Sequence, residues 1–501
     1  MIEVAGGTCR QRIKRVCFGM HLSVIQPLQT EVPMLCNHTS RRSFLGSSGL
    51  GFGSIALANL LTDEAQADTS PLATRQPHFQ PKAKHVIYLH MIGAPSQLDL
   101  FDDKPELRKR HNEPCPAEVT KDRDFAFIGK TSTLGGSPWK FRQHGECGHS
   151  FSELLPHLGS VADDIAVVHS VHNDEINHAP AQMFLHSGFG RGGRPSLGSW
   201  VTYGLGSPNS DLPGFVVLVN GDKGGAGTSL WSTGFLPSVY QGIQFRSEGD
   251  PVLFLSNPDG HSRDDRRRVL DALEKLNRER LGTTGDPEIE TRINQYEMSY
   301  RMQASVPELM NIEDETKRTL EDYGAVAGKA SFANSCLLAR RLVERGVRLV
   351  ELYDADWDHH NNIETRLPTK CKQTDQPIAA LLRDLKQRGL LQDTLVIFGS
   401  EFGRTPLNQG NTKGSGLAGR DHHKDAYTMW LAGAGIKGGV SYGKTDDFGM
   451  DITENPVHVH DLNATVLHLL GLDHERLTYK YQGREFRLTD VHGKIVDGIL
   501  S

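Results

Sequence analysis

Short apolar runs recur along the chain, and a polar cluster follows almost every one. His85-Val86-Ile87-Tyr88-Leu89-His90-Met91 is the first, ending in Gly93-Ala94-Pro95. Others lie at 165–168, 215–219, 347–352 and 394–399, with a further apolar run at 427–431. Their length and β-branched content predict buried strands of a parallel sheet. Helical patterns precede several of them, at 151–158, 337–345 and 378–386. Strands alternating with helices predict a doubly wound, mostly parallel α/β sheet. Residues 260–325 break the rhythm: they are charged and helix-forming, and predict an insertion over one sheet face.

The N-terminal segment reads differently. Ser40-Arg41-Arg42-Ser43-Phe44-Leu45 is a twin-arginine core, followed by a Gly-, Ala- and Leu-rich stretch to Leu61. Ala65-Gln66-Ala67 offers a small-x-small cleavage site. Residues 1–67 are expected to be an export leader, and residues 68–501 a single α/β domain delivered folded outside the cytoplasm. Beyond the leader no stretch of eighteen apolar residues appears, so no membrane-spanning body is expected.

Composition narrows the chemistry. The chain is 37% hydrophobic and 23% charged, with a net charge of −6 and no Lys/Arg-rich run, which argues against nucleic acid as a partner. Of seven cysteines, only Cys115, Cys147, Cys336 and Cys371 lie beyond the leader. A Cys115–Cys147 disulfide is possible outside the cytoplasm. No Cys-x-x-Cys pair occurs, so a zinc–thiolate site is not expected.

In open α/β sheets, ligands collect beyond the carboxyl ends of the strands. Acids and imidazoles of this chain occupy those places: Asp99 and Asp102; then His169, His172, Asp174 and His178; then Asp358-His359-His360; then Glu401 and Arg404; then Asp421-His422-His423. Histidine nitrogen and carboxylate oxygen without thiolate suit zinc, manganese, iron, magnesium or calcium. Glu401 and Arg404 read equally well as a plain ion pair. His458, His460 and Asp461 read as a helix start, with Asp461 capping an apolar helix over 462–470.

The motifs Gly93-Ala94-Pro95-Ser96-Gln97-Leu98-Asp99, Asn177-His178-Ala179-Pro180, Trp357-Asp358-His359-His360, Ser400-Glu401-Phe402-Gly403-Arg404-Thr405-Pro406 and Gly419-Arg420-Asp421-His422-His423 resemble, in this order, the bacterial family called domain of unknown function 1501. That family is similar in fold to sulfatases and alkaline phosphatases. The resemblance implies a three-layer α/β sandwich and a strand-end site for a divalent metal: zinc, calcium or manganese. It implies Asp99, Asp358, His360, Glu401, Asp421 and His422 or His423 as ligands. His178 falls where the superfamily's Ser, Thr or Cys nucleophile stands, and Arg404 or His422 would contact an anion. The expected function is metal-dependent hydrolysis of sulfate or phosphate esters, of small molecules or glycans. The alternative is an envelope or glycan-binding protein on a degenerate hydrolase scaffold.

Overall fold

The computed structural model describes residues 70–501 apart from 122, 124, 130–131, 247–250, 253–254 and 411–416. The expected leader lies outside the described residues.

The apolar runs assemble into one sheet. Its strands are β1 (His85–Met91), β2 (Ile165–His172), β3 (Phe215–Asn220), β4 (Ile243–Phe245), β5 (Leu349–Asp354), β6 (Thr394–Gly399), β7 (Tyr427–Gly433), β8 (Ser441–Tyr442) and β9 (Val457–His458). Their order is β8-β2-β7-β6-β1-β5-β3-β4, with β9 also paired to β2. β1 lies between β5 and β6, parallel to both. β7 alone runs antiparallel, against β2 and β6. Among its described residues the connection from β6 to β7 carries no crossover helix, and an antiparallel return needs none.

Alternation along each strand feeds two cores. Ile87, Leu89 and Met91 point to one face, and Val86, Tyr88 and Ile92 to the other. Six helices matter here: α1 (His178–Ser187), α2 (Arg263–Thr284), α3 (Pro287–Met310), α4 (Phe332–Glu344), α5 (Ile363–Gln387) and α6 (Val459–Leu469). α4 and α5 cover the first face through Leu337, Leu342, Leu367 and Leu381. α1 and α6 cover the second through Leu185, Leu462 and Val466. The protein is thus an α/β sandwich of three layers around a mostly parallel sheet.

α2 and α3 form a helical hairpin within the expected insertion. α3 seats Met302, Val306 and Leu309 in the core beside α4, while Leu270 is the buried residue of α2. Among the described residues no helix is long and apolar enough to cross a membrane.

Four expectations differ from the structure. No helix spans 151–158: His149–Ser152 pairs as a strand with Phe141–His144, and a 3₁₀ segment follows at Leu158–Asp164. Pro156, which has no N–H to give a helix, stands in the middle of that pattern. The strand expected at 347–352 is β5, two residues later. Gly346 (φ 82°) turns the chain out of α4, and the Val347 N–H closes that turn on the Leu342 carbonyl. Asp461 caps α6 from the third helical position, in a capping box with His458 at the N-cap. The four described cysteines are free, so Cys115 and Cys147 are not joined.

Two glycines bring the strand-end loops together. Gly93, after β1, has φ 106°, and a Cβ there would lie 2.5 Å from the Asp358 nitrogen. Gly419 would place a Cβ 2.2 Å from the His360 carbonyl. Only a residue without a side chain allows such backbone approaches.

Candidate metal centre

Four side chains from three segments, those that follow β2, β5 and β6, meet beyond the strand ends. His178 is the first residue of α1. Asp358 and His360 follow β5. His422 belongs to a two-residue hairpin strand, His422–His423, paired antiparallel with Gly403–Arg404 after β6. One ligand atom from each of His178, Asp358, His360 and His422 lies within 4.8 Å of all the others.

Hydrogen bonds fix the direction of each imidazole. His178 Nδ1 donates to Glu401 Oε1 at 2.7 Å. His422 Nδ1 donates to the Ile176 carbonyl at 2.9 Å. His360 Nδ1 pairs with Gln409 Oε1 at 2.6 Å. An Nδ1–H held by an acceptor leaves Nε2 as the coordinating atom, and this pattern orients metal-bound histidines generally. The three Nε2 atoms face one another. Those of His360 and His422 are 3.0 Å apart, an approach that is repulsive between lone pairs. Nitrogens around a tetrahedral zinc lie about 3.3 Å apart at Zn–N distances of about 2.0–2.1 Å. The donor set therefore fits a divalent cation.

Asp358 is the hub. Its Oδ1 lies 2.9 Å from His360 Nε2, 3.4 Å from His178 Nε2 and 3.7 Å from His422 Nε2. It also accepts from Arg404 Nη2 at 2.6 Å. Although burial opposes its charge, the three imidazoles and Arg404 hold the Asp358 carboxyl far below the ordinary carboxylate range. His178 responds in the opposite sense. Burial disfavours its cation, but Asp358 and Glu401 outweigh burial and raise its pKa to about 9. For His422, burial dominates and lowers the pKa, despite Asp358.

Glu401 stands one hydrogen bond behind the cluster. Fully buried, it accepts from His178 Nδ1, from the Gly93 N–H at 3.0 Å and from Gln182 Nε2 at 3.0 Å. Its other oxygen faces His90 Nε2 at 3.3 Å. The polar chain continues inward. His90 Nδ1 meets His186 Nε2 at 3.3 Å, His186 Nδ1 meets Glu351 Oε1 at 3.4 Å, and the Tyr353 hydroxyl donates to Glu351 Oε2 at 2.6 Å.

Other candidates are spent elsewhere. Asp99 forms a fully buried bidentate pair with Arg420, at 2.7 and 3.1 Å, so its oxygens are not offered to a cation. Asp421 turns away from the cluster: Oδ2 accepts from Phe127 N (2.8 Å) and Ile128 N (3.1 Å), and Oδ1 from His422 N (2.8 Å). His423 pairs with the Met450 carbonyl at 2.9 Å on the opposite side of the hairpin strand from His422. Arg404, 1% exposed, donates to the carbonyls of Gly93, Ala94 and Arg420 as well as to Asp358, which leaves no edge for an outside anion. Gln409, the Ile176 carbonyl and the chain through His90 and His186 were not among the residues expected from the sequence. No motif signalled them, because backbone carbonyls and lone amides carry no recognisable spacing.

Cation binding requires an unprotonated His178 Nε2, so it must displace a proton held up to pH about 9. Apparent zinc affinity should rise about tenfold per pH unit between pH 7 and 8 and level off above pH 9. Calorimetry in buffers of different ionisation enthalpy should find about one proton released per ion at pH 7. The same raised pKa stabilises the metal-free fold below pH 6.5, and that contribution is lost as pH climbs through about 9. A pH-independent affinity would contradict this protonation scheme.

Solved structures that the chain resembles include a lipoteichoic acid synthase from Listeria monocytogenes, at 10% identity and TM-score 0.33, covering 86% of this chain and 80% of that one. A sulfatase from Pseudoalteromonas sp. matches at 12% identity and TM-score 0.33, covering 84% and 72%. A protein in the alkaline phosphatase superfamily from Vibrio parahaemolyticus matches at 10% and 0.31, covering 80% and 70%. No curated protein matches. One family model spans nearly the whole described body, residues 83–500, and the chain belongs to that family, described as protein of unknown function DUF1501.

Proposed function

We propose that this protein is a metal-dependent hydrolase of sulfate or phosphate esters that works outside the cytoplasm. The observation that carries the reading is the convergence of three imidazole Nε2 atoms on Asp358, each ring locked by an acceptor at Nδ1. A divalent ion held by His178, Asp358, His360 and His422 would supply Lewis acidity to water and to the ester oxygens. The protein's own groups do the rest. Glu401 keeps the His178 proton on Nδ1. Asp421 and the Ile176 carbonyl fix His422. The Asp358 side chain is 42% exposed, and His178 and His360 are partly exposed, so an anionic ester has an open approach.

One observation favours the alternative, a glycan-binding protein without turnover. α1 opens with His178, so no hydroxyl or thiol occupies its first position, where a covalent ester intermediate would need a nucleophile. Direct attack by water avoids that requirement, and the orientation of all three imidazoles has no evident use in sugar binding alone.

A panel of chromogenic sulfate, phosphate and phosphonate esters with added zinc, manganese or calcium tests the reading. Turnover of at least one class is expected. His360→Ala should reduce it by more than about 100-fold, and Glu401→Gln should weaken metal affinity about 10–100-fold. No turnover on any class, with metal bound, would favour the binding protein.

Export in folded form is part of the same reading and rests on Arg41-Arg42. Replacing both with Lys should retain the protein inside the cell, as fractionation would report. Unchanged export would remove that part of the proposal.

A further inference from the structure

Phe127 is the most exposed aromatic side chain among the described residues, at 65%. A single exposed apolar residue needs no explanation by itself. Its placement does. The ring plane stands nearly perpendicular to two of the cluster's imidazoles, with centroids 4.9 Å from His360 and 5.3 Å from His422. It therefore lines the open side of the candidate metal centre.

Two independent anchors fix the ring there. On either side of it, Phe125 and Ile128 pack inward against the small apolar cluster of Leu98, Leu107, Leu134, Leu407 and Met450. The backbone N–H groups of Phe127 and Ile128 both donate to Asp421 Oδ2. Asp421 is fully buried, and its other oxygen accepts the His422 N–H. One carboxylate thus sets both the His422 backbone and the segment that carries Phe127. The Phe127 side chain is held outward beside the imidazoles, with most of its surface left to an incoming molecule.

We propose that Phe127 is a specificity-determining wall, and that the site takes esters whose organic part is a ring able to lie against the phenyl face. This deepens the hydrolase reading above and rests on it. The anionic end of such a molecule would face the imidazoles, and its ring would cover Phe127. Burying two apolar faces against each other favours ring-bearing over small aliphatic esters by about tenfold.

The test uses the zinc-loaded full chain and two non-hydrolysable probes, phenylphosphonate and methylphosphonate, with affinities read by calorimetry. The wild type should bind phenylphosphonate about tenfold more tightly. Phe127→Ala should abolish that preference and leave methylphosphonate affinity and zinc content unchanged. Phe127→Trp should restore the preference. Equal affinities in the wild type would overturn the inference while leaving the hydrolase reading intact. A Phe127→Ala variant that loses zinc and both phosphonates alike would also overturn it, because the ring would then only support His360 and His422. Binding of neither phosphonate to the zinc-loaded protein would sink the hydrolase reading, and this inference with it.

Discussion

Glu401 is a carboxylate with no exposed surface, placed just past the end of the central strand pair β1–β6. A buried carboxylate persists only when donors and counter-charge surround it. Here the donors are the Gly93 N–H after β1 and His178 and Gln182 on α1, and His90 within β1 faces the other oxygen at 3.3 Å. Satisfying this one charge therefore fixes the loop after β1, the start of α1 and the orientation of His178. Burial works against its ionisation, but the contacts from His178 and His90 hold the Glu401 carboxyl well below its ordinary range. The His90–His186–Glu351–Tyr353 chain extends the demand deep into the second core, so the polar site and the sheet are not separable pieces.

Around that constraint the charged residues divide their labour. Arg404 and Arg420 are buried guanidiniums that tie loops by donating to backbone carbonyls and to Asp358 and Asp99 respectively. Removing one partner of such a pair leaves an uncompensated charge, which costs about 3–5 kcal/mol. These residues resemble ligands or anion contacts in composition, yet the geometry spends them on position. What they position is the smaller set, His178, Asp358, His360 and His422, with lone pairs turned toward a common point.

Much of the fold was legible from the pattern of apolar runs. β1 and β6 coincide with their expected spans, because short β-branched runs bounded by Gly have few other solutions. The region over 151–158 was not legible as drawn: Phe151, Leu155 and Leu158 are all buried, so the helix-like spacing is satisfied by an irregular path. For the site, the strand-end position of the acid and imidazole clusters was readable, and all four residues that meet stood among the candidates, His178 as the nucleophile position and not as a ligand. Which acids stand apart was not. Asp99 belongs to Arg420, 321 residues away in sequence, and no local pattern reveals that pairing. His422 and His423 are neighbours on a strand, so they face opposite sides, and only the hairpin register with Arg404 decides which one turns inward.

The three imidazoles and Asp358 are proposed to form one cation site, distinct from the buried acids beside it. Anomalous diffraction at the zinc edge, from crystals grown with equimolar zinc, tests it most directly. One strong peak is expected within about 2.0–2.3 Å of the Nε2 atoms of His178, His360 and His422. A strong peak at Asp99, Asp421 or His423 in its place, or no peak at the cluster, would contradict it.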